Sequence, residues 1–516
     1  MLKHTWKIAI GLLIVATTAC QDLEVVNPNE PDAERALAQP GDVEGLVATS
    51  WVTAFWGRTQ GSASTVNALP LVADEFSGTY ANNGALEMSS EPRVPYNNDP
   101  LADAGGLARF QWESWYSGIS SANDGLTTIA AGLKITTGTP PTDNTIRTKA
   151  FAKYMQGVSH GYISSLFDRG FVATENTDLS NPKALKLLPY MEVRDSAVAM
   201  LAEAAAIAAA NTFTLPLGKG LYFVGAEVKN DRFAQIINSS AARVLVYSAR
   251  TPEERQALPW AKIIALIDAG VKADFTVELN STNSLTSSYW SRFTNTGTFS
   301  AYGDYHLIGP SDVSGRYQAW LRSEVNNRTK FDIVTPDRRI TGATPTSNGS
   351  LFRYRPSEIM VLARGTYHFS SYQWYGNAGR TTTGPLPVIS LKEMNLYKAE
   401  GLLRTGRAAE AVPLINLTRV ANGKLPAVTV AGPPQAADCV PRRDDGTCGD
   451  LMDALKYEIN IELTGTDAVR AFFDRRGFGQ LVSGTFLHLP VSARELSTLG
   501  LPLYTFGGVG KVGSAK

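Results

Sequence analysis

Lys392-Glu-Met-Asn-Leu-Tyr-Lys-Ala399-Glu400-Gly-Leu-Leu-Arg404-Thr-Gly406-Arg-Ala-Ala-Glu-Ala411-Val-Pro-Leu414-Ile-Asn-Leu-Thr-Arg419 is the stretch that decides the fold. Apolar and small residues return every three or four positions, as on one face of a helix, and Gly406 interrupts them. The spacing predicts two antiparallel helices, Ile389 to Arg404 and Arg407 to Ala421, joined by a glycine turn. Leu396, Ala399, Leu402, Ala408, Ala411 and Leu414 supply the small contacts of a tetratricopeptide-like unit. Such a unit cannot bury its face alone, so further helix pairs are expected to stack on it.

They are present upstream. Helical periods run from Pro40 to Trp56, Trp112 to Leu133, Arg147 to Phe167, Met191 to Ala210, Arg232 to Arg250 and Pro252 to Ala269. Trp51, Trp112, Trp115, Tyr154 and Tyr162 fall on the apolar faces and are expected in the core. The expected fold class is mostly α, a right-handed scaffold of paired helices in a single domain over 37–516, with long aromatic-rich loops and short strands. The repeats do not keep a fixed period.

Two regions break the helical rhythm. Residues 74–103 are rich in Asn, Gly, Pro and Ser, and residues 282–377 crowd aromatic rings among Ser, Thr, Asn and Gly. Long loops of this kind tend to be functional. Sugars show apolar C–H faces and hydroxyl rims, so a binder needs exposed rings beside fixed polar groups. Tyr289, Trp290, Tyr372, Trp374 and Tyr375 are the candidate rings, and Asp74, Arg93, Tyr96 and Asn98 the candidate polar partners.

The N-terminus reads as an export signal. Lys3 and Lys7 precede an apolar run, Ile8 to Ala16, that is shorter than the ~20 residues of a membrane span. Small residues then lead to Cys20, although the leucine usual three positions earlier is missing. Residues 1–19 are therefore expected to be a lipoprotein signal, Cys20 the lipidated residue, and 20–36 an extended tether. Outside the cytosol Cys439 and Cys448, close together in one polar loop, are expected to pair.

The chain has 516 residues with 48 Lys and Arg against 48 Asp and Glu, so no long-range field draws nucleic acid. No metalloprotease, nucleotide-binding or esterase motif is present, and no metal-ligand or cofactor pattern. A Gly-x-Gly-x-x-Gly, Gly508 to Gly513, lies in the last ten residues and reads as tail. Glu458 and Glu462 are one turn apart and are expected to form a salt-bridged helix surface near Lys456 and Arg470. The Asp-rich loop 438–450 lacks the spacing of a calcium hand and is expected to be solvated.

The chain resembles the SusD/RagB family of outer-membrane nutrient-binding lipoproteins. Cys20-Gln-Asp-Leu-Glu-Val-Val-Asn-Pro is similar to the family's mature start, and Trp115-Tyr116 through Asn123 to its aromatic helix followed by Ala-Asn. Asp337-Arg338-Arg339 is similar to its Asp-Pro-Arg turn. The quoted helix pair, Glu458-Ile-Asn-Ile-Glu462, Arg470-Ala-Phe-Phe-Asp474-Arg-Arg and His488-Leu-Pro490-Val-Ser-Ala-Arg-Glu495 complete the match in order. The chain departs at Lys392, commonly Arg, and in the insertion Thr464 to Val469. The resemblance implies a non-catalytic surface protein, lipid-anchored in the outer membrane. It would capture oligosaccharide, or in some members peptide, for a SusC-like TonB-dependent transporter. A surface glycan-cleaving enzyme and a tetratricopeptide adaptor binding only proteins are the rival classes.

Overall fold

The structure is a computed structural model. It describes residues 36–59, 65–77, 84–102, 104–178, 181, 185–218, 221–279, 302–356, 369–375, 384–467 and 469–516. The signal, Cys20 and most of the tether lie outside the described residues, as do Tyr289 and Trp290.

Helices α1 (Pro40–Thr59), α2 (Gly105–Ala130), α3 (Thr145–Leu166), α4 (Tyr190–Ala210) and α5 (Asn230–Ser248) pack each on the next, and α5 passes the stack to α6 (Trp260–Asp268). The quoted stretch folds as α7 (Leu391–Arg404) and α8 (Ala408–Arg419). Ser390 caps α7 by accepting from the Glu393 amide, and Gly406 makes the turn at φ 78°, a value that favours glycine. Helix α7 packs on α6, α8 and α9 (Leu451–Glu462). Each helix thus buries its face against sequence neighbours, the arrangement of a repeat solenoid.

Helix α3 is the axis of the stack. From Ala150 to Leu166 every residue is buried, so it lacks the polar face of a surface helix. Small residues make that possible. A Cβ at Gly157 would sit 2.6 Å from Leu201 Cγ of α4, and one at Gly161 would sit 2.4 Å from Val244 Cγ2 of α5. Trp115 of α2 stacks on Tyr162 of α3 with ring centroids 4.3 Å apart, and all five core aromatics named above are buried.

One predicted helix is two. The segment 252–269 splits into Pro252–Gln256 and α6, because Pro259 offers no amide to continue the first helix and its ring biases Leu258 toward extended backbone.

Residues 282–377 contribute more strand than their sequence shows. A four-stranded sheet runs in the order β1 (Phe76–Ser77), β3 (Tyr302–Asp304), β5 (Phe369–Trp374), β4 (Phe352–Tyr354). A separate pair joins β2 (Phe275–Leu279) to β6 (Gly384–Ile389). Residues 370–374 are buried on both faces of β5, so no polar-apolar alternation marks the strand.

The C-terminal part closes the molecule with α9, α10 (Arg470–Phe478) and α11 (Ala493–Leu499). The Cys439 and Cys448 sulfurs are bonded, with Cα atoms 5.8 Å apart. Glu458 and Glu462 do not form a surface. They are 0% and 4% exposed, and the guanidinium of buried Arg339 reaches Glu458 at 2.6 Å and Glu462 at 3.2 Å. The helix face that carries them is turned inward, where a carboxylate requires a partner. No helix among the described residues is long and apolar enough to cross a membrane.

Candidate functional site

The two loop-rich regions meet at the sheet. Phe76 pairs with Gly303, and Asp304 of β3 receives a hydrogen bond from Ser77 Oγ at 2.8 Å. From there residues 84–102 run back along the C-terminal segment to the start of α2.

Within this region the predicted polar partners serve the scaffold. Asp74 and Arg93 are buried and form a two-pronged ion pair at 2.7 and 2.8 Å, and Arg93 Nε also donates to Thr485 Oγ1 at 3.0 Å. The Tyr96 hydroxyl donates to the Ala104 carbonyl at 2.7 Å and accepts from the Ala108 amide, and burial pushes its phenol pKa up. Asn98 Nδ2 donates to the carbonyls of Val491 and Tyr504 at 3.0 and 3.2 Å. These four side chains fasten the excursion to α2 and the C-terminal segment.

Two predicted rings are also internal. The Tyr372 hydroxyl donates to the Pro345 carbonyl at 2.9 Å and accepts from the Ile333 amide at 2.8 Å. Trp374 lies against Phe76 and over Gly465, where a Cβ would come within 2.3 Å of its ring. Tyr375 is half-buried, with its hydroxyl on the Gly349 carbonyl at 3.0 Å. Asp74, Arg93, Tyr96, Asn98, Tyr372 and Trp374 therefore do not present the exposed platform expected of them. Spacing along the chain shows that rings are concentrated but not which side of a sheet they face.

Beside Arg93 lies a cluster of Asp74, Asp304 and His306, whose candidate ligand atoms fall within 4.8 Å of one another. Those atoms already have protein partners. Arg93 holds Asp74, while Asp304 accepts from Ser77 and from the His306 amide, with the imidazole Nδ1 at 2.9 Å. Burial pulls the His306 pKa down, but the Asp304 hydrogen bond and the charges of Asp304, Asp74 and Glu91 hold it above the ordinary value. A charged network that satisfies itself is scaffold chemistry.

Open concave surface lies elsewhere. A groove of about 440 Å³ runs between the start of α2 and α11, walled by Gly105, Gly106, Arg109, Phe110, Arg494 and Ser497. Phe110 is 40% exposed. The Arg109 guanidinium lies 4.6 Å from the Phe110 ring centroid, and Arg109 makes no ion pair among the described residues. Sequence reading passed over this site, although Gly105-Gly106 followed by Arg109-Phe110 marks a helix start carrying a charged and an aromatic side chain. A second cleft of about 240 Å³, lined by Arg442, Arg443, Asp444, Asn460 and Gln480, lies beside the disulfide loop. An internal cavity of about 40 Å³ sits among Trp51, Phe55, Trp115, Tyr162 and Arg243. It has room for a water or two but not a sugar.

No family model matches the chain, and no curated protein matches it. Solved structures do. A SusD superfamily protein from Bacteroides thetaiotaomicron aligns over 90% of this chain and 95% of its own, at 14% identity and a TM-score of 0.53. A SusD-like carbohydrate binding protein from Bacteroides vulgatus aligns over 86% and 84%, at 14% identity and a TM-score of 0.50. A SusD superfamily protein from Bacteroides fragilis aligns over 91% and 94%, at 13% identity and a TM-score of 0.51. From α1 to the C-terminal segment, the chain has the SusD-superfamily fold.

Proposed function

We propose that this protein is a non-catalytic glycan-binding lipoprotein of the cell surface. It captures oligosaccharide and passes it to a SusC-like TonB-dependent transporter. The observation that carries the reading is the likeness of 86% of this chain to a SusD-like carbohydrate binding protein. The apolar run before Cys20 supports the lipid anchor, and the exposed Phe110 ring on the wall of an open groove supports a carbohydrate ligand. Transfer to a transporter favours a shallow site with a fast off-rate over a deep one, since affinity is tuned mainly through dissociation.

The test is binding of the mature chain to a panel of polysaccharides and peptides, beside a Trp290→Ala variant. Retention of one glycan class without its cleavage supports the reading, and loss in the variant places Trp290 at the ligand. Retention of peptides alone, or release of shortened sugars, overturns it. Anchoring is tested by fatty-acid labelling in cells, which should disappear with Cys20→Ala.

A further inference from the structure

We propose that the groove between α2 and α11 binds a carboxylate-bearing glycan, one containing uronic acid units, with Arg109 holding the carboxylate and Phe110 carrying the sugar's apolar face. This rests on the glycan-binding reading and adds to it a site and a ligand charge.

The groove is built from fixed parts. Asn98 ties the excursion to the carbonyls of Val491 and Tyr504, which brings residues 100–110 against the start of α11. A Cβ at Gly105 would lie 2.4 Å from the Asp99 carbonyl oxygen, so glycine allows the chain to double back closely there. On this wall α2 turns two neighbouring side chains outward. The Phe110 ring is 40% exposed, and the Arg109 guanidinium rests 4.6 Å from its centroid.

The state of Arg109 points to an anion. Several exposed arginines elsewhere are committed: Arg407 to Glu410 at 2.6 Å, Arg443 to Asp453 at 2.7 Å, Arg169 to Asp168 at 2.9 Å. Across the groove Arg494 is held by Glu113 at 3.0 Å. Arg109 has a ring beneath it but no carboxylate among the described residues, and that ring restricts its motion. A guanidinium so placed offers its planar fork to a carboxylate and loses little freedom on binding. The combination of a guanidinium with no ion pair among the described residues, an exposed ring and a groove of about 440 Å³ matches an acidic sugar, which presents a carboxylate beside an apolar C–H face. The whole chain is formally neutral, so the preference for charge would come from this groove rather than from a general field.

The experiment is calorimetric titration of the full chain with uronic acid oligosaccharides, with the same oligosaccharides reduced to neutral sugars, and with an oligoglutamate peptide. Variants Arg109→Gln, Phe110→Ala and Arg443→Gln are titrated in parallel, and circular dichroism verifies their fold. The expected result is binding of the acidic sugar, weakened about tenfold or more by Arg109→Gln and by carboxyl reduction, since a charged hydrogen-bonded contact is lost. Arg443→Gln should leave the affinity unchanged. Equal binding of acidic and reduced sugars, or an unaltered Arg109→Gln, overturns the proposal while glycan binding stands. Oligoglutamate bound through Arg109 in place of the acidic sugar, or no binding of the acidic sugar, overturns the proposal, while the glycan-binding reading falls only if the polysaccharide panel also shows no binding.

Discussion

Replacing Arg339 by Met should be among the most damaging single changes available in this protein. The guanidinium is fully buried and donates to three carboxylates: Asp337 at 2.8 Å, Glu458 at 2.6 Å and Glu462 at 3.2 Å. Removing it does not strip those acids of every hydrogen bond. Asp337 keeps the Tyr457 hydroxyl at 2.6 Å, Glu458 keeps Thr418 Oγ1 at 2.8 Å, and Glu462 keeps Asn422 Nδ2 at 2.8 Å and Lys392 at 3.2 Å. What remains is an excess of buried negative charge, with Lys392 in contact and Arg419 at 3.8 Å as the nearby cations. Leaving a buried charge without its partner costs about 3–5 kcal/mol. Arg407→Ala, which breaks the solvent-screened Arg407–Glu410 pair, should leave stability nearly unchanged. Urea unfolding followed by near-ultraviolet circular dichroism measures both. Glu458→Gln added to Arg339→Met should recover part of the loss, since it removes one surplus charge, and the resulting non-additivity isolates the pair. If Arg339→Met costs no more than Arg407→Ala, the cluster does not hold α9 and the Asp337 turn together as described.

Stability should also fall on mild acidification. Burial holds the His160 imidazole neutral with a pKa of about 4, its Nδ1 2.7 Å from the Gln156 carbonyl and its Nε2 accepting from the Ala173 amide. The unfolded histidine takes up a proton near its ordinary value of ~6.5, so the native state loses ground as pH drops from there toward 4, by about 2 kcal/mol at pH 5. His488, lowered to about 2 by burial and by Arg250 and Arg476, adds to the loss. His306, held above its ordinary value, acts in the opposite sense: its stabilisation is present in acid and is lost as pH rises through its native pKa. Urea midpoints that do not decline between pH 7 and pH 5 would contradict this balance. Packing at the axis gives a third expectation. Gly157→Ala places a Cβ 2.9 Å from the Leu201 backbone nitrogen, whereas the nearest atoms to a Cβ at Gly161 belong to the Val244 side chain. Overpacking costs about 1–3 kcal/mol and outweighs the ~1 kcal/mol gain in helix propensity. Gly157→Ala should therefore be the worse, and Val244→Ala should relieve Gly161→Ala but not Gly157→Ala in thermal melts.

The helices were legible because each carries a period the chain cannot hide: Val43, Val47, Trp51 and Ala54 in α1, or Leu396, Ala399 and Leu402 in α7. The strands were not, because residues 370–374 are buried on both faces and read as polar and aromatic without alternation. Six of the nine candidate site residues are internal for a related reason. Asp74, Arg93 and Asn98 have the composition of a ligand-binding set, but a long excursion folded against the core must satisfy its own buried polar groups, and these side chains do so. Arg109 and Phe110 sit in an ordinary helical turn, where nothing in their spacing marks a groove wall.

Several residues of the motifs behind the family resemblance are buried charges. Glu393 and Glu400 of α7 are buried partners for Arg243 and Arg255. Asp474 binds Arg255 at 3.1 Å and Arg470 at 3.0 Å, and Arg470 reaches Glu75 at 3.1 Å. Arg476 meets no carboxylate among the described residues; it donates to the carbonyls of Ser165, Tyr247, Ala249 and Leu487, and burial holds its pKa well below the ordinary value. The first three of these carbonyls lie at the ends of α3 and α5, where a helix leaves its last acceptors without internal donors. Arg250 does the same for Ser164 and Phe167. A stack of helices exposes such carbonyls wherever two helices finish side by side in the interior, and one guanidinium with its five donors can serve several at once. These motif residues are therefore buried, most pairing charge between elements and Arg476 serving helix ends. Arg109 and Phe110, by contrast, lie exposed on the wall of the open groove.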